Sequence, residues 1–240
     1  MRNRKEAERI KKPKPVMDIS ALKHLVALEP DEDVLNCEYC LYYKRAANED
    51  MRHCSLCYCP YVAERMPFGL VTYREAILAT AYEVIDNRFT YRAVKLMGKP
   101  DNSKVRFMNI THRNYFYYSK ESLQITGKRM TAQLYLLTAN VRLWKQIQNY
   151  VSKARVDYEH FKPEQFSDTA YTLFGVAKDM YLKTEYIEMS DLADSHLVSA
   201  NLFLIICNAL AIQRFSDEIL TLSIEIKKSR KEWCGLIDSN

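Results

Sequence analysis

The amino-acid sequence predicts a mainly α-helical protein. Of its 240 residues, 48% are hydrophobic, which is enough for a sizeable core and argues against wholesale disorder. Only five residues are glycine, and this scarcity disfavours a turn-rich sandwich or barrel. Beyond Gly127, apolar residues recur at helical spacing. We therefore expect a small N-terminal cysteine module, one β-hairpin near 104–118 and a C-terminal helical bundle.

Changes in composition divide the chain into four segments. Residues 1–16 are charged, contain two prolines and have no apolar period, so we expect a flexible basic arm. This arm lacks the apolar run of a secretory signal, which predicts a protein of the reducing cytoplasm. The remaining segments are a short helix plus the cysteine module (17–67), a basic aromatic α+β segment (68–127) and the helical bundle (128–240).

Five of the seven cysteines are clustered in the second segment. Cys37 and Cys40 form one C-x2-C pair, and Cys54 and Cys57 form another, thirteen residues later. A C-x2-C turn delivers two thiolates to one ion, and two such turns complete a tetrahedral site. The spacing predicts one structural zinc ion with these four ligands. An iron–sulfur cluster, unmetallated thiols and disulfides are the alternatives.

Two neighbouring side chains leave the zinc ligand set open. Cys59 could replace Cys57, and His53 could replace one of the thiolates. Four cysteines fill a tetrahedral ligand set, which favours a closed structural site over a catalytic one. Residues 36–43 and 54–59 resemble the short cysteine modules in uncharacterised proteins of Gram-positive mobile elements. The resemblance implies plasmid, conjugative-element or phage biology, and it implies no activity.

The third segment is predicted to combine one helix with one hairpin. Between Tyr73 and Asp86, apolar residues recur at helical spacing. Residues 105–110 then alternate between apolar and polar, residues 111–114 can form a turn, and residues 115–118 are all aromatic. This alternation predicts a β-hairpin near 104–118.

Charge is segregated along the chain. Residues 88–130 hold ten Lys and Arg side chains against two acids, whereas residues 157–225 hold twelve acids against four Lys and Arg. Nucleic acids bind through cations on phosphates and through aromatic side chains stacked on bases. The basic segment therefore predicts a nucleic-acid-binding face. Its predicted members are Arg106, Arg113, Lys120, Lys128 and Arg129 for phosphates, and Tyr115 and Tyr117 for bases.

The same charges admit two other interpretations. Lys and Arg commonly line a solvated face, and half of the aromatic residues in a hairpin face the core. The basic face could also pair with the protein's own acidic helices, or with a second copy of the chain. The sequence does not distinguish DNA from RNA or from a protein partner.

The last segment is predicted to contain several helices. An apolar stripe from Met130 to Ile147 predicts a long helix from about residue 128 to 158. Ser167, Ser190 and Ser216 are each followed by Asp, a pattern typical of a helix N-cap. They predict helices over about 168–187, 191–214 and 217–233.

One apolar stretch, from His196 to Gln213, could be either a membrane span or a buried helix. Spanning a membrane takes about 20 predominantly apolar residues. This stretch is shorter and is interrupted by Ser199, Asn201 and Asn208. It therefore predicts a buried central helix and no membrane partner.

No phosphate-binding loop, metalloprotease motif or nucleophile elbow occurs in the sequence. Residues 155–160 have an R-x4-H spacing that resembles the motif of HEPN ribonucleases, which are helical and act as dimers. The resemblance implies that His160 would act in acid–base chemistry and that Arg155 would stabilise phosphate charge. Val156 stands where that motif usually has a polar residue.

Three functional hypotheses follow from these patterns. The first is a non-enzymatic, zinc-containing nucleic-acid-associated protein from a mobile element. The second is a protein-interaction module, such as a phage or plasmid inhibitor or adaptor of a host complex, acting through its acidic helical half. The third is the HEPN-like ribonuclease.

Overall fold

The computed structural model of the protein describes residues 62, 66 and 71–224. These residues form eight α-helices and three short 3-10 helices, so the mainly helical prediction is confirmed for them. The predicted basic arm and the cysteine module lie outside the described residues. The α-helices are α1 (Tyr73–Glu83), α2 (Asn87–Met97), α3 (Ile110–Ser122), α4 (Lys128–Thr138), α5 (Val141–Ile147), α6 (Asp168–Leu182), α7 (Met189–Ala193) and α8 (Ala200–Phe215). The 3-10 helices are Pro100–Lys104, Gln148–Tyr150 and Asp217–Thr221.

Helix α8 is the centre of the core. It is apolar on all sides, and Leu202 to Ala209 are buried without interruption. It packs against α4, α1 and α2. The prediction of a buried central helix between His196 and Gln213 is therefore confirmed. None of the described helices is long and apolar enough to span a bilayer.

Short polar side chains set the starts of the helices. The Ser167 hydroxyl accepts a hydrogen bond from the Ala170 N–H, as predicted for the start of α6. Ser190 is not an N-cap, because α7 begins one residue before it and α8 begins after Ser199. The Ser216 hydroxyl caps only a short 3-10 helix, and residues beyond 224 are outside the description.

The predicted hairpin near 104–118 is wrong. Residues 110–122 form α3, which starts where the Asn109 side chain accepts a hydrogen bond from the His112 N–H. The apparent alternation covers only six residues, and side-chain capping at Asn109 begins a helix directly after it. The four aromatic residues from Tyr115 to Tyr118 therefore lie around a helix and not along a strand.

The predicted long helix over 128–158 is also wrong, because it is interrupted near Asn140. Helix α4 ends at Thr138, and the Asn140 side chain then accepts hydrogen bonds from the N–H groups of Arg142 and Leu143. An asparagine that caps a new helix competes with continuation of the old one. The apolar stripe continues across this break because both helices pack against the same core.

Candidate nucleic-acid interface

Helix α3 has two chemically different faces. Its inner face, formed by His112, Phe116 and Ser119, is buried, and the helix packs against α4. Its outer face carries Tyr117 and Tyr118, which are 37% and 73% exposed. Arg113 is exposed one helical turn before Tyr117 and therefore lies on the same face. The outer face is thus a basic and aromatic surface that is open to solvent.

The inner face of α3 is fixed by a buried histidine. His112 Nδ1 accepts a hydrogen bond from the Met108 N–H at 3.1 Å, and Nε2 donates to the Tyr135 carbonyl at 2.8 Å. Its ring packs at centroid distances of 5.1 Å from Phe107 and 4.7 Å from Tyr135. Burial lowers the pKa of His112 to about 4, so the neutral ring with its proton on Nε2 fits both bonds. The outer face of α3 is therefore presented by a firmly docked helix.

A buried polar cluster anchors the segment that leads into α3. The Asn208 side chain, on α8, accepts from the Tyr73 hydroxyl and donates to the Val105 carbonyl and the Tyr135 hydroxyl. Burial raises the pKa of Tyr73 to about 12 and raises the pKa of Tyr135 well above its ordinary value, which keeps both hydroxyls protonated. The Tyr135 hydroxyl donates to the Arg106 carbonyl. The cluster links α1, α4 and α8 to residues 105–106.

Arg106, one of the predicted phosphate contacts, belongs to this buried cluster. Its guanidinium carbon lies 3.0 Å from the centre of the Tyr73 ring, and its Nη2 donates to the Leu222 carbonyl at 3.1 Å. Burial lowers the pKa of the guanidinium, and the nearby tyrosine oxygens oppose that shift. The side chain is engaged within the protein, so the interface is built without it.

Two predicted lysines have partners inside the protein as well. Lys120 forms a mostly buried ion pair with Asp217, with 2.5 Å between Nζ and Oδ2. Lys128 Nζ donates to the Arg214 carbonyl at 3.2 Å, near the C-terminal end of α8, where a cation is favourable. Tyr115 is half-buried against the core. These three residues are less available to a ligand than their sequence positions indicate.

Arg113, Tyr117, Lys128 and Arg129 are the predicted interface residues that the structure leaves exposed, and of these Lys128 is hydrogen-bonded to the Arg214 carbonyl. Neither Arg113 nor Arg129 makes an ion pair with a described residue. Tyr118, which the sequence prediction missed, joins them as the most exposed aromatic residue of α3. It was missed because consecutive residues of a strand point to opposite faces, whereas on a helix both tyrosines reach the outer surface.

The outer face of α2 is a second basic surface that sequence reasoning missed. Arg88, Tyr91 and Lys95 are exposed at helical spacing, and Lys99 is exposed just beyond the helix. The i, i+3, i+7 spacing of these residues was the available signal. Arg92, one helical turn after Arg88 at the edge of this face, is buried where residues 192–198 cover it.

The two residues of the R-x4-H pattern lie in turns. The Arg155 N–H donates to the Ser152 hydroxyl, and the Arg155 carbonyl accepts from the Ser152 N–H, which closes a tight turn. His160 Nδ1 lies 2.9 Å from Asp157 Oδ2, and hydrogen bonds from His160 lower the pKa of Asp157. Both residues are exposed and neither lies in a helix, unlike the helical placement that the ribonuclease resemblance implies.

The predicted zinc ligands Cys37, Cys40, Cys54 and Cys57, with Cys59 and His53 as substitutes, lie outside the described residues. Within 71–224, no group of three or more His, Cys, Asp or Glu side chains could hold a metal ion. Cys207 is a single thiol in this part of the chain, and burial raises its pKa well above the ordinary range. It is a core residue of α8.

Comparisons with known proteins do not extend these observations. Searches against protein-family models, curated proteins and solved structures found no match to this chain. The chemistry of the surfaces described above is therefore the basis for proposing a function. The most informative of them are the outer faces of α3 and α2.

Proposed function

We propose that this protein is a non-enzymatic nucleic-acid-associated protein that binds exposed bases and phosphates through the outer face of α3. The observation that carries the proposal is the exposure of two adjacent tyrosines, Tyr117 and Tyr118, one helical turn from Arg113. Base stacking on an aromatic ring requires an open ring face, and each stacked base contributes about 1–3 kcal/mol. An arginine beside the rings supplies a phosphate contact.

The ligand best suited to this face is a single-stranded polynucleotide. The bases of a duplex are stacked on each other, whereas those of a single strand are free to stack on protein side chains. Tyr117 and Tyr118 have neighbouring positions on a docked helix, so little ordering of the protein is needed on binding. Arg129 offers a further cation.

A structural zinc ion is the second part of the proposal. It would be held by Cys37, Cys40, Cys54 and Cys57, with Cys59 or His53 as a substitute ligand. Four thiolates form a closed site that contributes folding free energy to a small module and leaves no open position for catalysis. The module's resemblance to those of mobile elements is consistent with a cytoplasmic nucleic-acid-associated role.

Metal analysis of the full chain, purified under reducing conditions, tests the zinc proposal. We expect one zinc ion per chain, lost in Cys37→Ser and Cys54→Ser because a three-thiolate site binds zinc far more weakly. Cys207→Ala is the matched control, since this thiol is buried in α8, and it should retain the metal. His53→Ala and Cys59→Ser identify substitute ligands. A protein that is metal-free and remains fully folded in excess chelator would contradict the proposal.

Fluorescence anisotropy with a labelled mixed-sequence single strand tests the binding proposal. Tyr117→Ala and Tyr118→Ala should each weaken binding by about 1–3 kcal/mol, because each removes a stacking surface. Phenylalanine at either position should restore most of the affinity, since it retains the ring. A single-stranded DNA, the matching RNA and a duplex of the same sequence establish which nucleic acid is preferred.

The matched control is a second pair of exposed tyrosines. Tyr171 and Tyr186 are 46% and 59% exposed, and they lie in the acidic half of the chain. Tyr171→Ala and Tyr186→Ala should leave nucleic-acid affinity unchanged. Equal losses at both pairs, or no binding by the unmodified protein at low salt, would contradict a specific interface on α3.

The tyrosine pair of the acidic half favours a second candidate function, a protein-interaction module for a basic partner. The Tyr171 hydroxyl donates to the Tyr186 hydroxyl at 2.8 Å, and the Asp179 carboxylate holds the neighbouring loop by accepting from the N–H groups of Tyr186 and Ile187. A stoichiometric protein partner recovered from a host lysate, with no nucleic acid present, would favour this function. Self-association would instead indicate pairing between copies of the chain.

A further inference from the structure

The outer face of α2 carries a row of cations that no acidic side chain of the described residues pairs with. Arg88, Lys95 and Lys99 are exposed, and Tyr91, between them, is 42% exposed. Residues 87–99 contain no acidic side chain. At a rise of about 1.5 Å per residue, the helical part of the row, from 88 to 95, extends over roughly 10 Å, and Lys99 follows just beyond the helix. None of the three cations forms an ion pair with a described residue.

Several basic side chains of the described residues are paired or buried, in contrast to the cations of the α2 row. Lys120 pairs with Asp217, and Arg214 pairs with Glu83. Arg92, on the inner side of α2, is committed to backbone carbonyls of the core. The α2 row therefore holds positive charge that an external anion would neutralise.

The α2 helix is also held firmly in place. The Asp86 side chain caps it by accepting from the Phe89 N–H at 2.9 Å. On its inner side, Arg92 donates to the carbonyls of Leu192, Asp194 and Val198 and lies over the Phe203 ring at 4.6 Å. The cations of the outer side are thus displayed at fixed spacing, and only their own side chains need to be ordered on binding.

We propose that the outer face of α2 is a phosphate-binding surface that tracks the backbone of the nucleic acid. It rests on the proposed function and divides the work between two helices. Arg88 and Lys95 of α2, with Lys99 just beyond its end, supply salt-dependent phosphate contacts, whereas Tyr117 and Tyr118 of α3 supply stacking. Charge complementarity carries this assignment, because a row of uncompensated cations is matched by the regularly spaced phosphates of a polynucleotide.

Phosphate contacts by the α2 surface and base stacking by α3 predict different salt dependences of the affinity. Each phosphate neutralised on a single strand contributes about 0.7 to the slope of log affinity against log salt concentration. The triple variant Arg88→Gln, Lys95→Gln, Lys99→Gln should therefore lower the magnitude of that slope by about 2. The double variant Tyr117→Ala, Tyr118→Ala should weaken binding at every salt concentration and leave the slope unchanged, because stacking releases no counterions.

The test is a salt titration of single-strand binding by the full chain, with a control of matched charge. The control triple variant is Arg142→Gln, Lys145→Gln, Lys162→Gln, which removes the same residue types from exposed positions elsewhere. Its slope should match that of the unmodified protein. All substituted side chains are exposed, and circular dichroism with thermal unfolding verifies that each variant is folded.

The possible outcomes separate the two proposals. An unchanged slope in the α2 triple variant, with loss of affinity in the tyrosine variant, overturns the α2 assignment and leaves the α3 interface intact. Equal slope changes in both triple variants overturn it too, because they indicate a diffuse net-charge effect. If the unmodified protein binds vesicles containing phosphatidylserine, and the α2 triple variant loses that binding but retains nucleic-acid binding, the α2 surface is reassigned to lipid headgroups. No nucleic-acid binding by the unmodified protein removes both proposals.

Discussion

Two arginines of α2, one exposed and one buried, have opposite roles. Arg88 and Arg92 lie one helical turn apart, yet Arg88 is exposed and Arg92 is buried. Arg92 donates to three backbone carbonyls and lies over an aromatic ring, whereas Arg88 makes no ion pair with a described residue. A positive charge in this protein can therefore be either buried and hydrogen-bonded or exposed without an ion pair to a described residue. The segment that packs over the side chain decides which.

The same contrast applies across the whole basic segment. Arg106 is stacked on Tyr73 and bonded to a carbonyl, in the same manner as Arg92. Lys120 is neutralised by Asp217. The charge available to a ligand is consequently smaller than the sequence count, and it is concentrated on the outer faces of α2 and α3. Inner cations are expected to determine stability, and outer cations are expected to determine binding.

The largest expected difference between substitution of Arg92 and substitution of Arg88 is in the free energy of unfolding. Arg92→Met should lower it by about 3–5 kcal/mol, because three carbonyls at the α7–α8 connection lose a buried donor. Methionine retains an unbranched apolar stem, so the loss is chiefly in hydrogen bonding. Denaturant unfolding of the full chain, followed by circular dichroism, measures the change.

Arg88→Met is the matched control for this measurement. It makes the same chemical change one turn away, at an exposed position, and should alter the free energy of unfolding by no more than about 0.5 kcal/mol. If Arg92→Met and Arg88→Met lower the free energy of unfolding equally, the buried and the exposed arginine contribute equally to stability. The contrast between them is then wrong.

Sequence periodicity predicted two core helices, α1 and α8, but not α2. Helix α1 was expected between Tyr73 and Asp86, and α8 was expected to be a buried central helix. Both predictions depend on apolar spacing, which reflects burial directly. Ser167 was correctly predicted as the cap of α6 because its bond to the Ala170 N–H is local in the sequence.

Side-chain capping and long-range packing account for the errors. Asn109 and Asn140 begin helices inside stretches that were predicted as a hairpin and as one continuous helix. The role of Arg106 depends on Leu222, which is 116 positions away in the chain. No local pattern encodes such a contact, so the sequence could not separate Arg106, which faces inward, from Arg113, which faces solvent.

A smaller effect is expected in the pH dependence of stability, which the buried His112 should influence. His112 is buried on the inner side of α3, where the rings of Phe107 and Tyr135 pack against it and no carboxylate pairs with it among the described residues. Its Nδ1 accepts from the Met108 N–H, so protonation would remove that acceptor. Burial lowers the pKa of His112 to about 4, below the value of about 6.5 in an unfolded chain.

This lowered pKa fixes the sign of the pH effect. Between about pH 6.5 and pH 4, the unfolded state binds more protons than the folded state at this residue, so stability is present above pH 6.5 and is lost as the pH falls. We expect His112 to account for a loss of about 2 kcal/mol between about pH 7 and pH 5. His112→Gln, which retains a donor for the Tyr135 carbonyl but does not titrate, should remove that part of the pH dependence. His160→Gln, at an exposed histidine, should retain it. Identical pH profiles for the His112 variant and the unmodified protein would show that α3 is not held by a neutral histidine, and the rigid presentation of Tyr117 and Tyr118 would lose its physical basis.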